Sequence, residues 1–266
     1  MKLSVIMPVN RLDDFLRQSL LSVNAQKFKE FELLLICNKK IENSLDSFIK
    51  SLNLDLKYKI ISTILDGVAF AANLGIENST GNYIARWDSD DLCDPNRFSC
   101  QINELDKDKN LHVIGTNVEL IDENNNVIKI QKFKFFGDNF SIRKALKYRQ
   151  SLLHSSLMFR KEILLKNNGY LYGHTSEDHE LFIRIARDKN INFKNLEHVK
   201  TYYRRHSTQL SDSQNLKKHF YETAGFLFSE FLRTLNIMYI FGIIVNVPFL
   251  RKLRITYRKF LLNFKK

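Results

Sequence analysis

The chain is short of the residues that punctuate and staple small folds: three cysteines, three prolines, nine glycines and one tryptophan in 266 residues. Cys37, Cys93 and Cys100 form no C-x-x-C pair, and an odd count is a poor disulfide framework, which points to a reducing, cytoplasmic setting. The glycines compose neither G-x-G-x-x-G nor G-x-x-x-x-G-K-[ST], so there is no dinucleotide fingerprint and no P-loop. His179-Glu180 does not extend to H-E-x-x-H, and the seven histidines show no paired zinc spacing. No uninterrupted apolar run reaches the roughly 20 residues of a bilayer-crossing helix. The apolar start Leu3–Val9 is short, contains Pro8 and runs into Asn10, Arg11, Asp13 and Asp14, so it reads as a strand rather than a secretion signal. Internal repeats and low-complexity linkers are absent as well.

What is present is an ordinary globular composition, 44% hydrophobic and 26% charged, in a chain long enough for one large domain with an appendage. The net charge of +12 is unevenly spread: residues 201–266 hold twelve Lys/Arg against three Asp/Glu, which is +9 of it. A basic C-terminal part that meets an anionic surface accounts for such asymmetry.

Over the first ninety residues, strand-like runs at Leu3–Val9, 31–37, 59–65 and 83–87 alternate with helical segments at 12–26, 42–52 and 67–78. Leu12, Phe15, Leu16, Ser19, Leu20 and Val23 mark the stripe of the first helix. Such alternation implies parallel strands with right-handed crossovers, a Rossmann-like half-sheet. After Asp91 the rhythm changes. Pro95 opens a helix to about residue 106. Strands at 111–120 and 127–133 flank the polar turn 122–126 and predict an antiparallel pair. Helices follow at 140–148, 161–167 and 177–189, with a strand at 155–159.

A long helix is expected from 215 to about 233, then the apolar stretch 236–250, then Arg251, Lys252, Arg254, Arg258, Lys259, Lys265 and Lys266 interleaved with Leu253, Ile255, Tyr257, Phe260 and Leu261. This pattern suits a helix lying on an anionic membrane. A helical hairpin packed on the domain, or a dimer contact, is the other reading.

Chemistry concentrates in three places. Asp88-Ser89-Asp90-Asp91 closes the fourth strand, and three carboxylates within four residues repel one another unless a positive group neutralises them. A hard divalent cation, Mg²⁺ or Mn²⁺, does this while holding substrate phosphates. Acidic loops at the C-terminal ends of strands are also where open α/β sheets bind ligands. Glu177-Asp178 opens a helix, where the dipole favours negative charge. Such a carboxylate serves as a general base if its neighbours raise its pKa. Tyr202-Tyr203-Arg204-Arg205-His206 offers arginine forks for phosphate and a histidine that joins a metal or donates to a diphosphate. His154 reads as structural.

With these residues in place the chain resembles the family 2 glycosyltransferases of the GT-A fold, over about residues 3–211. The resemblance is carried by Ser4-Val5-Ile6-Met7-Pro8-Val9-Asn10 and by the run from Gly67 to Asp91, G-x-A-x-A-x-N-x-G-I-x-x-x-T-G-x-Y-I-A-x-x-D-x-D-D. His154 through Lys161, Thr175 through Leu181, and Tyr203-Arg204-Arg205-His206 complete it. It implies a mostly parallel Rossmann-like central sheet with a smaller antiparallel element and a C-terminal helical extension. The catalytic domain would span 1–212, with a nucleotide-binding half to about 91 and an acceptor half beyond it, and the extension 213–266.

The activity implied is metal-dependent, inverting transfer of a hexosyl or N-acetylhexosaminyl group from a nucleoside diphosphate sugar to a glycan or lipid-linked hydroxyl, in bacterial surface polysaccharide or lipopolysaccharide synthesis. By the same resemblance Asp90, Asp88 and His206 hold Mn²⁺ or Mg²⁺. Pro8, Val9, Asn10, Asn38, Asp66, Asn73, Asp88, Ser89 and Arg205 bind the nucleotide sugar. Asp178 is the general base and Glu177 its acceptor-side partner.

Three departures stand out. Cys37-Asn38-Lys39-Lys40 replaces an Asp-Asp-Gly-Ser-type run, Ala72 replaces the arginine before Asn73, and Asn10 follows Pro-Val where a tyrosine is usual. A UDP-sugar is the favoured donor, and these changes leave the base open. They also motivate the alternative of a catalytically inactive nucleotide-sugar-binding scaffold. Nucleic acid is not an expected partner, because no reading motif accompanies the basic tail. The expected location is cytoplasmic, peripheral at the inner face of the cell membrane, with an anionic surface bound through the C-terminal tail.

Overall fold

The computed structural model describes residues 1–128, 134–171, 175–206, 216–250 and Leu253. The first strands form because they are apolar throughout. In β1 (Leu3–Val9) six of seven residues are buried, and β2 (Phe31–Asn38) is nearly as apolar. Strands buried on both faces need no polar alternation, and such strands pair in parallel under helical crossovers. β1 pairs in parallel with β2 and with β4 (Tyr83–Arg86), and β2 with β3 (Tyr58–Thr63). The crossovers are α1 (Asp14–Asn24), α2 (Glu42–Ser51) and α3 (Val68–Asn78). Asp13 caps α1 by accepting from Leu16 N at 3.0 Å, and Leu16, Leu20 and Val23 bury the stripe read from the sequence.

The second half continues the same sheet. After β5 (Leu92–Cys93) and α4 (Arg97–Lys107) come β6 (Leu111–Ile121), α5 (Asn139–Leu146), β7 (Met158–Arg160), α6 (Lys161–Lys166), α7 (Glu177–Ile185) and β8 (Asn192–Arg204). The eight strands run in the order β3-β2-β1-β4-β7-β6-β8-β5. β7 is antiparallel to β4 and β6, β5 is antiparallel to β8, and β6 and β8 are parallel. Two apolar layers cover the faces. Leu33, Leu35, Val5 and Met7 pack with α1, α2 and α4, while Leu34, Ile36 and Ile6 pack with α3, α5 and α7.

The sequence segments above leave out β8, a 13-residue strand lying inside the sheet. Its exposed Lys194, Glu197 and His198, and a register shift opposite Thr116 and Asn117, break the apolar period that would reveal it. The antiparallel pair expected of 111–120 and 127–133 begins at its turn, where Ile121 bridges Val127 and Ile128 N donates to Leu120 O at 2.8 Å, and residues 129–133 lie outside the described residues.

The C-terminal part folds as α8 (Leu216–Thr234) and α9 (Ile237–Asn246). α9 lies so close to the domain that a Cβ on Gly242 would stand 2.4 Å from Lys147 O. Asn246 Nδ2 donates to Tyr148 O at 3.1 Å. Among the described residues no helix is long and apolar enough to cross a membrane. Apart from Leu253, the basic tail beyond residue 250 lies outside the described residues.

Candidate active site

The acidic loop follows β4 directly, and its repulsion is resolved by giving each carboxylate a different partner. Asp88 Oδ1 pairs with Arg86 Nη2 at 2.7 Å. Asp90 Oδ2 lies 2.9 Å from His206 Nε2. Asp91, fully buried, turns inward to accept from Ser155 Oγ and, at 2.9 Å, from Arg204 N. Burial, with Asp90 and Asp88 close by, pushes the Asp91 carboxyl well above the usual range. Burial also raises Asp88, against the pull of Arg86.

His206 is placed by the end of β8 and by Phe15 of α1, whose ring centroid is 5.0 Å away. Arg204 is wholly buried and serves as a tie, donating to Asp90 O at 2.8 Å and Gln18 Oε1 at 2.9 Å, with its guanidinium 4.7 Å over Phe15. The half-exposed Arg205 is the arginine of the pair left toward solvent.

Mn²⁺ and Mg²⁺ are commonly bound through one or two protein groups completed by substrate phosphates and water. The apposed Asp90 carboxylate and His206 imidazole fit that mode as a two-donor platform. Asp88 faces a guanidinium instead. Among the described residues no group of three or more His, Cys, Asp or Glu converges to hold a metal.

The expected nucleotide residues gather at the C-terminal ends of parallel strands, the position where such sheets take ligands. Pro8 and Val9 end β1, with Asn10 exposed beyond them, and Asn38 ends β2. Asn38 Nδ2 donates to Asp66 Oδ1 at 2.9 Å, joining that end of β2 to the loop after β3. Ser89 sits half-exposed in the acidic loop. Asn73 stands apart. Its Nδ2 donates to Tyr170 O and its Oδ1 accepts from Tyr170 N, both at 2.8 Å, so both ends of the amide clasp a main chain. Gly169, at φ +58°, makes room for this clasp, since a Cβ there would lie 2.2 Å from Asn73 Oδ1.

Glu177 and Asp178 form the first turn of α7. Burial is the main cause that raises Glu177 to about 7 and Asp178 to about 6, against the helix dipole. Asp178 Oδ2 accepts from Gln150 Nε2, and its Oδ1 accepts from His179 N at 2.7 Å. The charge of Asp88 raises both pKa values and that of Arg86 lowers both. The two acidic groups therefore share one electrostatic environment, although ninety residues separate Asp88 from Asp178 along the chain.

Several residues here were not anticipated. Arg86, 4% exposed, lies between the two acidic groups electrostatically, and an arginine ending an otherwise apolar run was its only signal. Glu222 of α8 accepts from Thr175 N and Thr175 Oγ1, each at 3.0 Å, and Ser176 Oγ meets Thr223 Oγ1 at 3.1 Å. The C-terminal part thus braces the entry to α7, a contact spanning 47 positions with no local sequence signature. His154 is buried, with Nε2 2.5 Å from Tyr170 OH, as its structural reading implies.

The mixed α/β sheet, with its acidic loop at the end of β4, is that of the GT-A fold. The profile of Glycosyl transferase family 2 matches residues 4–167, and the chain belongs to that family. The chain is 33% identical over 236 residues to the O-antigen biosynthesis glycosyltransferase WbnJ of Escherichia coli, covering 87% of this chain and 89% of that protein. In fold it is similar to S. aureus TarS 1–349 solved with UDP-GlcNAc, at TM-score 0.64 and 18% identity, covering 87% of this chain and 67% of that one. It is similar too to the mannosyltransferase PcManGT of Pyrobaculum calidifontis solved with GDP-Man and Mn²⁺, at TM-score 0.62 and 13% identity, covering 87% and 64%.

Proposed function

We propose that this glycosyltransferase moves a hexosyl or N-acetylhexosaminyl group, with inversion, from a nucleoside diphosphate sugar to a hydroxyl of a glycan or lipid-linked acceptor. The setting is bacterial surface polysaccharide or lipopolysaccharide synthesis at the cytoplasmic membrane face. The observation that carries the reading is that Asp88 and the Glu177–Asp178 pair, far apart in the chain, lie near enough for the charge of Asp88 to act on both acids. The likeness to an O-antigen enzyme supports the pathway class, and the sugar nucleotides bound by the fold neighbours support the donor class.

In this reading Asp90 and His206 hold Mn²⁺ or Mg²⁺, with Asp88 beside them. When bound, the cation supplies positive charge to the diphosphate leaving group. Pro8, Val9, Asn10, Asn38 and Asp66 line the base and ribose, and Arg205 reaches the phosphates. Asp178 is largely ionised at neutral pH yet basic enough to accept a proton, which suits removal of the acceptor's hydroxyl proton. Glu177 orients the acceptor and Gln150 fixes the orientation of the base.

The test is a panel of UDP-, GDP- and TDP-sugars incubated with Mn²⁺ or Mg²⁺, followed by NMR of the anomeric proton. Slow hydrolysis or transfer with inversion, lost in Asp90→Ala and Asp178→Asn, is expected. Full activity in Asp90→Ala would remove the cation from the mechanism. Donor binding without turnover under every condition would favour the inactive scaffold.

A further inference from the structure

The α8–α9 hairpin has two faces. Its inner face belongs to the domain: Leu227 and Tyr239 are buried in the core, and Glu230, 2% exposed, is gripped by Arg187 and Arg233 at 2.5 Å each. Its outer face is apolar and uncovered. Phe228, Leu232 and Leu235 stand at helical spacing along α8 and just past its end, and Ile237 and Ile244 stand two turns apart on α9, while Phe241 between them rests its ring on Tyr148 of the domain. Between 49% and 76% of each of the first five side chains is open to solvent. Phe249, Leu250 and Leu253 carry the exposed apolar series on toward the tail. From Phe231 to the C-terminus the sequence has eight Lys/Arg and no Asp/Glu.

We propose that this outer face seats the enzyme in the headgroup layer of an anionic phospholipid bilayer, with the basic tail supplying the electrostatic attraction. The proposal builds on the membrane-face reading above and assigns it a surface that begins upstream, in α8. An amphipathic hairpin too short to span, fixed to the domain by one face and followed by positive charge, has the composition of an in-plane anchor. The eight Lys/Arg and no Asp/Glu from Phe231 onward select an anionic lipid surface over a second copy of the chain, which carries the same charge. Seating through α8 places the bilayer on the helix that braces the entry to α7 through Glu222, so a lipid-linked acceptor arrives beside the candidate base.

The experiment is sedimentation of the full chain with phosphatidylcholine vesicles containing phosphatidylglycerol, against pure phosphatidylcholine. The triple variant Leu232→Ser/Ile237→Ser/Ile244→Ser is run in parallel, with donor hydrolysis as the check of folding. Preferential binding to the anionic vesicles is expected, with partitioning of the variant about tenfold weaker or more and hydrolysis retained. Added salt should weaken binding of the parent protein without abolishing it, because the apolar share is not screened. Unchanged binding by the triple variant overturns the proposal. So does a dimer in solution that the variant dissociates while neither protein binds lipid. Should the triple variant not fold, single Leu232→Ser and Ile244→Ser variants give the same comparison. Loss of hydrolysis in the parent protein counts against the reaction and leaves the vesicle result decisive for the surface.

Discussion

Arg86 and Asp88 form an ion pair at the mouth of β4, 2.7 Å between Nη2 and Oδ1, with the arginine side chain almost entirely buried. A guanidinium in that position serves more than one acid, since its charge also lowers Asp178 and Glu177 and depresses His154. Replacing it removes a cation that favours the ionised form of all three carboxylates.

Arg86→Gln should therefore cost about 10-fold to 100-fold in kcat/KM and move the acidic limb of the pH–rate profile upward, because the carboxylates lose the charge that favours their ionised form. Initial rates across pH 5 to 9 check this. A profile unchanged in position would mean that Arg86 acts only as a structural prop.

The Glu177–Asp178 pair sets two pH dependences with opposite costs. Activity should fall as pH drops through about 7 to about 6, where the pair takes up protons. Asp178→Asn should lower kcat by about 10²-fold to 10⁴-fold, as expected for loss of a general base. Stability runs the other way. The folded-state pKa values lie above the unfolded ones, so the native state holds more protons and loses stability as pH rises from the ordinary carboxylate range to about 7. Glu177→Gln should accordingly be more stable than the parent at pH 8 by on the order of 1–3 kcal/mol, and the gain should vanish near pH 4. Urea denaturation at the two pH values measures it.

Glu222 braces the entry to the Glu177–Asp178 turn, and both lie beyond the family profile's span, which ends at residue 167. Glu222→Ala should lower kcat about tenfold, chiefly by loosening Thr175 and the acids that follow, with little effect on donor KM. Glu222→Gln keeps an oxygen that can accept both bonds and should recover most of the rate. Equal losses in the two variants would point to the charge rather than the brace.

Asn73 provides a contrast between binding and support. Because both ends of its amide are spent on Tyr170, Asn73→Ala should destabilise the fold by about 1–3 kcal/mol while leaving donor affinity nearly unchanged. Denaturant unfolding and nucleotide titration separate the two. A selective rise in donor Kd would restore the sequence-based assignment.

How legible each part was in the sequence depended on how local its physics is. The parallel half-sheet could be read because β1 and β2 are buried on both faces and carry no polar alternation to confuse the pattern. The acidic loop was visible because three carboxylates in four positions need an explanation wherever they occur. Glu177 and Asp178 could be read as a helix start and, through the family resemblance, as base and acceptor-side partner, while their raised pKa values come from burial that no local pattern encodes. β8 was missed because its charged side chains project to solvent from a strand held inside the sheet by β6 and β5. Gln150, Glu222 and the clasp of Asn73 on Tyr170 join segments 28, 47 and 97 positions apart, and only the folded chain brings them together.

The inward-turned Asp91 has a consequence for how the protein acquires activity. One carboxylate fastens the acidic loop to Ser155 and to the main chain of Arg204, 113 positions away, so Asp90 and His206 are registered against each other only after the last strand has docked. Long loop closures of this kind come late in folding. A nascent or truncated chain that stops short of that strand would possess the whole parallel half-sheet and still have no workable ion platform. Recovery of turnover during refolding should lag behind recovery of secondary structure.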